Sequence, residues 1–391
     1  WPALIGRWTW PVRERLGFLT QILQSHDRTE QRISHRCDGS GNAVPTQSLA
    51  VRIAVWGEAD CARMEAVLHG WLKDPWHVPI WPMARVHTAN LPAGSGSITV
   101  DTRYADYRAD GLAMIWQSSG SYEVVTVASV ADNALTLDGT TVNAYSGHKW
   151  ILPCRIGRIL SAGQWQRYHG GALVDLEWQI EDVAAVTGYT AGMTYDGMTV
   201  LTDPADWPGD HGEAVHDPDI AVLGGDTGPF EIISNSDYNE TAQSHVWHPR
   251  TFQACWELRQ FLHAVRGRQR AFLVPTFRRD ITLSRPAGAG DTSLYVVNRG
   301  YTSNMGTNAM RTYLAFRPAG SAIIVRKVTA VSVVSGSEEK IGLNAAPGAA
   351  FAAGRHLCWV DRCRLAEDVI EWTWHKRGMA TCGTNLIRVS G

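Results

Sequence analysis

A mainly β protein, built as two tandem and similar β-sandwich or barrel domains with one flanking α-helix each, is the fold class this sequence predicts. Three observations predict it. A helix-to-strand block is written twice, short strand-like runs follow each copy at regular spacing, and a chain of 391 residues is too long for one ordinary core.

The doubled block is Cys61 to Pro82, CARMEAVLHGWLKDPWHVPIWP, and Cys255 to Phe277, CWELRQFLHAVRGRQRAFLVPTF. Cys61, Met64, Leu68 and His69 map onto Cys255, Leu258, Leu262 and His263 at an offset of 194. These spacings lie along one face of a helix of period 3.6, so each copy opens with an amphipathic helix. Val78-Pro79 returns as Val274-Pro275, and Pro92 to Gly96 as Pro286 to Gly290. EVVTVASV (123–130) resembles AIIVRKVTAV (322–331), and Glu177-Trp178 returns as Glu371-Trp372, again at 194. Ordered blocks at or near one offset are the mark of an internal duplication. The expected domains are 1–186, with an N-terminal arm, and 187–391, whose first part (187–229) is a Gly/Asp/Pro-rich linker.

Taken in order, residues 1–47 begin with Trp1, Trp8 and Trp10 and read as two strands around the polar turn SHDRTEQ. SLAVRIAVW (48–56) alternates as a half-buried strand, and the first helix occupies 57–72. Pro75, Pro79 and Pro82 end helical structure, because proline lacks the amide hydrogen. SITV, GLAMIW, YEVVTVASV, LTLDG and WILPCRIGRIL then read as strands, and ALVDLEWQIED (172–182) closes the first domain. The linker carries one or two short strands. FEIISNSDYN leads into the second helix (251–266), which ends in the basic run RGRQR.

Composition excludes several classes. Apolar residues make up 45% and charged residues 19%, as in a folded chain, and the net charge of −2 offers no general cationic surface for nucleic acid or anionic lipid. No apolar run is long enough to span a membrane, and no basic segment with an apolar stretch marks a secretion signal, so synthesis in the cytosol is expected. Seven cysteines without a Cys-x-x-Cys pair fit reduced thiols. Seventeen tryptophans lean towards large contact surfaces.

Catalytic signatures are missing: no GxxxxGK[ST], GxGxxG between strand and helix, HExxH or GxSxG occurs. The chain therefore reads as a non-enzyme without a cofactor. Asp210, His211, Glu213, His216, Asp217 and Asp219 crowd into ten residues, but a polar glycine-flanked loop produces such a cluster without an ion, and no metal site is assigned. Cys358, Cys363 and Cys382 read as packing residues, and His69 and His263 as hydrogen-bonded residues at helix ends.

SHDRTEQRISHR, the helix ending in GWLKDPWHVPIWP, the strand-rich body and GRQRAFLVPTF together resemble tail-tip, or baseplate, proteins of long-tailed bacteriophages (siphoviruses) related to distal tail proteins. The resemblance spans about 17–372 and implies a tail-tube fold, a β-sandwich with one flanking helix. It implies a structural virion protein that closes the tail tube, joins it to the hub and host-recognition apparatus, and lets DNA pass. The implied partners are the tail tube, hub and tape-measure proteins, with phage DNA only in transit. Ordinary distal tail proteins carry one tube domain per chain and form hexamers. Three copies of a two-domain chain make six similar wedges, so a homotrimeric pseudo-sixfold ring is expected, with a hexamer as the alternative. Trp1, Trp8 and Trp10 are the candidate reaching arm, and Arg266, Arg268 and Arg270 a candidate subunit contact. The rival class is a carbohydrate- or receptor-binding β-sandwich of the tail tip.

Overall fold

The computed structural model describes residues 7–18, 44–71, 74–184, 186, 188–189, 193–202, 204, 214–217, 220–223, 231–234, 240–304, 312–317 and 323–389. Strand β1 (Arg7–Gly17) pairs antiparallel with β2 (Thr46–Trp56). The N-terminal strand is thus RWTWPVRERLG, whereas the polar turn expected to follow it lies outside the described residues. Helix α1 (Glu58–Ala66) buries Cys61 and Met64, and a π-helical turn (Val67–Trp71) continues it. There follow β3 (Trp76–Pro79), β4 (Arg85–His87), β5 (Ser97–Thr99), β6 (Gly111–Ser118), β7 (Ser121–Ala131), β8 (Ala134–Leu137), β9 (Lys149–Tyr168) and β10 (Gly171–Ile180).

Five short strands come next: β11 (Thr194–Tyr195), β12 (Met198–Thr199), β13 (Ala214–Asp217), β14 (Ile220–Leu223) and β15 (Glu231–Ser234). The 187–229 stretch therefore holds more strand than its Gly/Asp/Pro content suggests, because IAVL and MTV are β-favouring runs between the turns. Then come β16 (Glu240–Trp247) and helix α2 (Phe252–Val265). The Thr251 hydroxyl caps α2 by accepting the Ala254 N–H at 3.1 Å. The chain continues through β17 (Phe272–Pro275), β18 (Ile281–Thr282), β19 (Ser293–Val297), helix α3 (Tyr301–Asn304), β20 (Tyr313–Phe316), β21 (Ile324–Ser335), β22 (Glu338–Leu343), β23 (His356–Leu365), β24 (Val369–Lys376) and β25 (Met379–Arg388).

Twenty-one strands join in one large antiparallel sheet, with β11–β12 and β14–β15 as separate hairpins. The sheet does not close into a barrel, so that half of the expectation is corrected. Strand β9 explains the size: its first part pairs with β3, β4 and β6, and its second part with β10.

The ladders of the N-terminal strands recur among the C-terminal ones, residue by residue. Arg85 faces Ile151 and Ile281 faces Leu357; Leu112 faces Cys154 and Tyr313 faces Val360; Ile98 faces Leu135 and Leu294 faces Ile341. The isolated bridge Leu91–Tyr145 has a counterpart in Ala287–Phe351. A register shift lies between Val127 and Ser129 on β7, and another between Val328 and Ala330 on β21, at matching positions. Bulges are placed features of a ladder, so a shared one is more telling than shared strand lengths.

The matching pairs give an offset of 194 at the two helices, 196 from Arg85 to Ile281, 201 from Leu112 to Tyr313 and 206 from Cys154 to Val360. The constant offset read from the sequence is corrected accordingly, since loops differ in length between the halves. One block changes partner altogether. Trp178 on β10 faces Leu49 and Ile159, and the residue in that position is Leu386 on β25, facing Gln243 and Leu365; Trp372 belongs to β24 instead. A Glu-Trp pair on a half-buried strand recurs easily, because alternation alone favours it.

One hydrophobic cluster runs through both halves, from Trp8, Leu49 and Trp178 to Phe261, Trp372 and Leu386. A second, built of Ile281, Leu294, Leu314, Phe316, Ile341 and Trp359 among others, fills the interior of the C-terminal strands.

Candidate subunit interface

The N-terminal and C-terminal strands meet in an extended contact. Its backbone is β1 laid antiparallel on β24, with Val12 opposite Trp374, Glu14 opposite Trp372 and Gly17 opposite Val369. The alternation of VRERLG puts Val12, Glu14 and Leu16 inward. Glu14 is therefore a carboxylate in the core, and three side chains meet it: Arg259 Nη1 at 2.6 Å, Gln47 Nε2 at 2.8 Å and Trp374 Nε1 at 3.0 Å. They come from α2, β2 and β24, so a single buried charge ties the halves together.

Around this centre the halves touch elsewhere. The Arg85 guanidinium sits 3.5 Å from the Phe252 ring centre, and Arg377 sits 4.0 Å from that of Trp150. Gly378 N–H donates to the Pro82 carbonyl at 3.2 Å. Gly378 has φ +65°, and a Cβ there would lie 3.1 Å from the Phe252 ring, so both backbone and space call for glycine. His263 accepts the Val186 N–H on Nδ1 and meets Phe18 edge-on. Burial, helped by the nearby Arg259 charge, holds His263 down to about 3 and so neutral.

A second buried charge cluster supports β6 to β9. Asp106 pairs with Arg155 at 2.6 Å and Arg108 at 2.9 Å. Burial works to raise this carboxyl, but the two guanidinium charges outweigh it and bring it to about 2.

The aromatic arm residues divide. Trp1 lies outside the described residues. Trp8 is buried and stacks on Trp178 at 5.8 Å, with Trp81 at 6.4 Å, so it packs within its own chain. Trp10 is 37% exposed beside a cleft of about 510 Å³ lined by Arg13, Arg52, Asp175 and Glu177. Arg266, Arg268 and Arg270 lie where α2 turns into β17. Arg266 is the left-handed C-cap of α2, Arg268 donates its N–H to Asp368 at 3.0 Å, and Arg270 Nη1 donates to the Ala264 carbonyl at 3.3 Å. That turn adjoins β1, since the Phe18 N–H donates to the Asp368 carbonyl at 2.8 Å.

His216 and Asp217 lie on β13, while the other four members of their acidic and imidazole cluster lie outside the described residues. Among the described residues no group of three metal-ligating side chains occurs. Cys358 lies on β23, half-buried, with Cys363 and Cys382 buried on β23 and β25. Burial pushes the Cys255 thiol up to about 12 and Cys358 to about 11, which suppresses thiolate chemistry. Glu14 and Arg259 were not singled out by sequence reasoning. The available signal was a lone charge at an inward position of each element, Glu14 in VRERL and Arg259 in ELRQFL.

No protein-family model matches this sequence, and no curated protein is similar to it.

Proposed function

We propose that the chain is a structural, non-enzymatic component of a bacteriophage tail tip, built of two tandem tail-tube-like β-sandwich units with one helix each. Three copies form a pseudo-sixfold ring that joins the tail tube to the hub and host-recognition apparatus and lets DNA pass; a hexameric ring is the alternative assembly. On this reading it resides in the virion after synthesis in the host cytoplasm, contacts the tube, hub and tape-measure proteins, and carries no cofactor.

The observation that supports this reading is the recurrence of one strand-pairing scheme twice in a chain, down to a shared bulge. Similar units joined head to tail are what a ring of repeated wedges requires. Light scattering with negative-stain imaging tests it. The expected result is a particle of three times 43.0 kDa with an open axial channel, and a monomer at all concentrations would overturn the reading.

One observation favours a second reading, a carbohydrate-binding module: the cleft beside the half-exposed Trp10 combines an aromatic face with the Arg52–Asp175 pair. A monomer that retains a glycan, and loses it on Trp10→Ala, would support this alternative.

A further inference from the structure

We infer that β13 of one copy adds to the edge of the distal half of β9, residues 159–168, that carries no ladder among the described residues, in a second copy, repeating between chains the contact that β1 makes with β24 within a chain. The inference rests on the two-unit reading above and names the surfaces that reading leaves open.

The internal contact has two sides. One is β1, held by β2; the other is β24, held by β25. The counterpart of β1 is β13: Glu14 faces Leu49 of β2, and Ala214 faces Gln243 of β16, where Leu49 and Gln243 are themselves equivalent through Trp178 and Leu386. Among the described residues β13 pairs only with β16. The counterpart of β24 is distal β9: Trp165 faces Val174 of β10, and Trp372 faces Cys382 of β25. Among the described residues the second edge of 159–168 carries no ladder.

Burial follows the same division. Trp372, which β1 covers, is 1% exposed, whereas its counterpart Trp165 on distal β9 is only half-buried. The helices differ alike. Leu262 and His263 of α2 are buried against the other half, while their equivalents Leu68 and His69 are half-buried and exposed. An open strand edge with apolar side chains beside it is a pairing template. What fits it is a strand placed as β1 is placed, and among the described residues β13 is such a strand.

Charge agrees with the fit. Arg85 meets Phe252 at the internal contact. By the same alignment the turn before Ile281 in one copy, with the exposed pair Arg278-Arg279, approaches the acidic first turn of α1 in the next, Glu58 and Asp60, the latter already beside Arg63 at 3.6 Å. The register also follows. Glu14 opposite Trp372 within the chain becomes Ala214 opposite Trp165 between copies. Such a contact is heterologous, so it propagates in one direction and closes into a ring or runs on as a filament.

The test uses the full chain carrying Ala214→Cys and Trp165→Cys, oxidised and run with and without reductant. A ladder of covalent multimers is expected, while Ala214→Cys paired with Leu160→Cys should cross-link at least tenfold less. Gln164→Pro is the second variant. The β9–β10 register passes over Gln164 in a bulge, where proline is tolerated, so the monomer keeps its circular dichroism and loses assembly. Rings that form with neither the cross-link nor sensitivity to Gln164→Pro would overturn this pairing and leave the ring reading intact. A chain that never assembles would sink both.

Discussion

At the residue scale, Glu14 decides how firmly the halves are joined. A buried ion pair is weak evidence of net stabilisation, but removing one partner strands a charge in the core and costs about 3–5 kcal/mol. Arg259→Ala is therefore expected to lower the unfolding free energy by about that amount in urea titration. Glu14→Gln combined with Arg259→Met, which strands no charge, should cost less than Arg259→Ala alone. Histidine gives a pH signature. His263 is held down to about 3 and His245 to about 4 by burial, so both stay neutral in the fold and take up protons when it opens. For a depressed pKa the stabilisation is complete above the unfolded value, about 6.5, and is lost as pH falls towards the folded one. Stability should decline from pH 6.5 towards 4, and His263→Asn should flatten that slope in denaturation midpoints measured across the range. Asp106 adds a later loss, between about pH 4 and 2, as its carboxyl protonates away from Arg155 and Arg108.

At the element scale, β1 closes the contact between the halves. It covers one side of β24, buries Trp8 and Val12, and stacks an indole on Trp178. Burying each such side chain contributes about 1.5–3 kcal/mol. Deleting residues 1–17 should lower the urea midpoint and expose the β24 edge, seen as aggregation in light scattering; an unchanged midpoint would remove β1 from this role. Helix positions were legible in the sequence: 251–266 was expected where α2 spans Phe252–Val265, and 57–72 where α1 and its π-helical turn span Glu58–Trp71. Both follow from apolar spacing at 3.6 and the prolines after Trp71. The strands from SITV to ALVDLEWQIED were legible for the same reason, as alternating β-favouring runs. The pairing of β1 with β24 was not, because Gly17 and Val369 meet across most of the chain and no local pattern encodes a partner so distant.

At the scale of the whole molecule, the two-unit reading has a thermodynamic consequence. Assembly stabilises whatever fold it binds by mass action, so the melting temperature of a ring-forming chain rises with concentration. Scanning calorimetry over a hundredfold concentration range should show that rise for the native chain and none for Gln164→Pro. A concentration-independent transition for both would argue against assembly as a source of stability.

The sequence by itself determined the two long helices, the strands from SITV to ALVDLEWQIED and the spacing that the two helix blocks share, because period, proline and repeated spacing act within a few residues of where they are read. The candidate interface was legible only in part: its tryptophans and arginines stood out by type, while Glu14 and Arg259 acquired their meaning from each other. Only the tertiary structure decided which strands are neighbours, that the sheet stays open, and that Trp178 answers to Leu386 and not to Trp372. The reason is physical. A strand's alternation says which side chains face inward, but hydrogen-bonding edges are alike in every strand, and only packing selects which two edges meet.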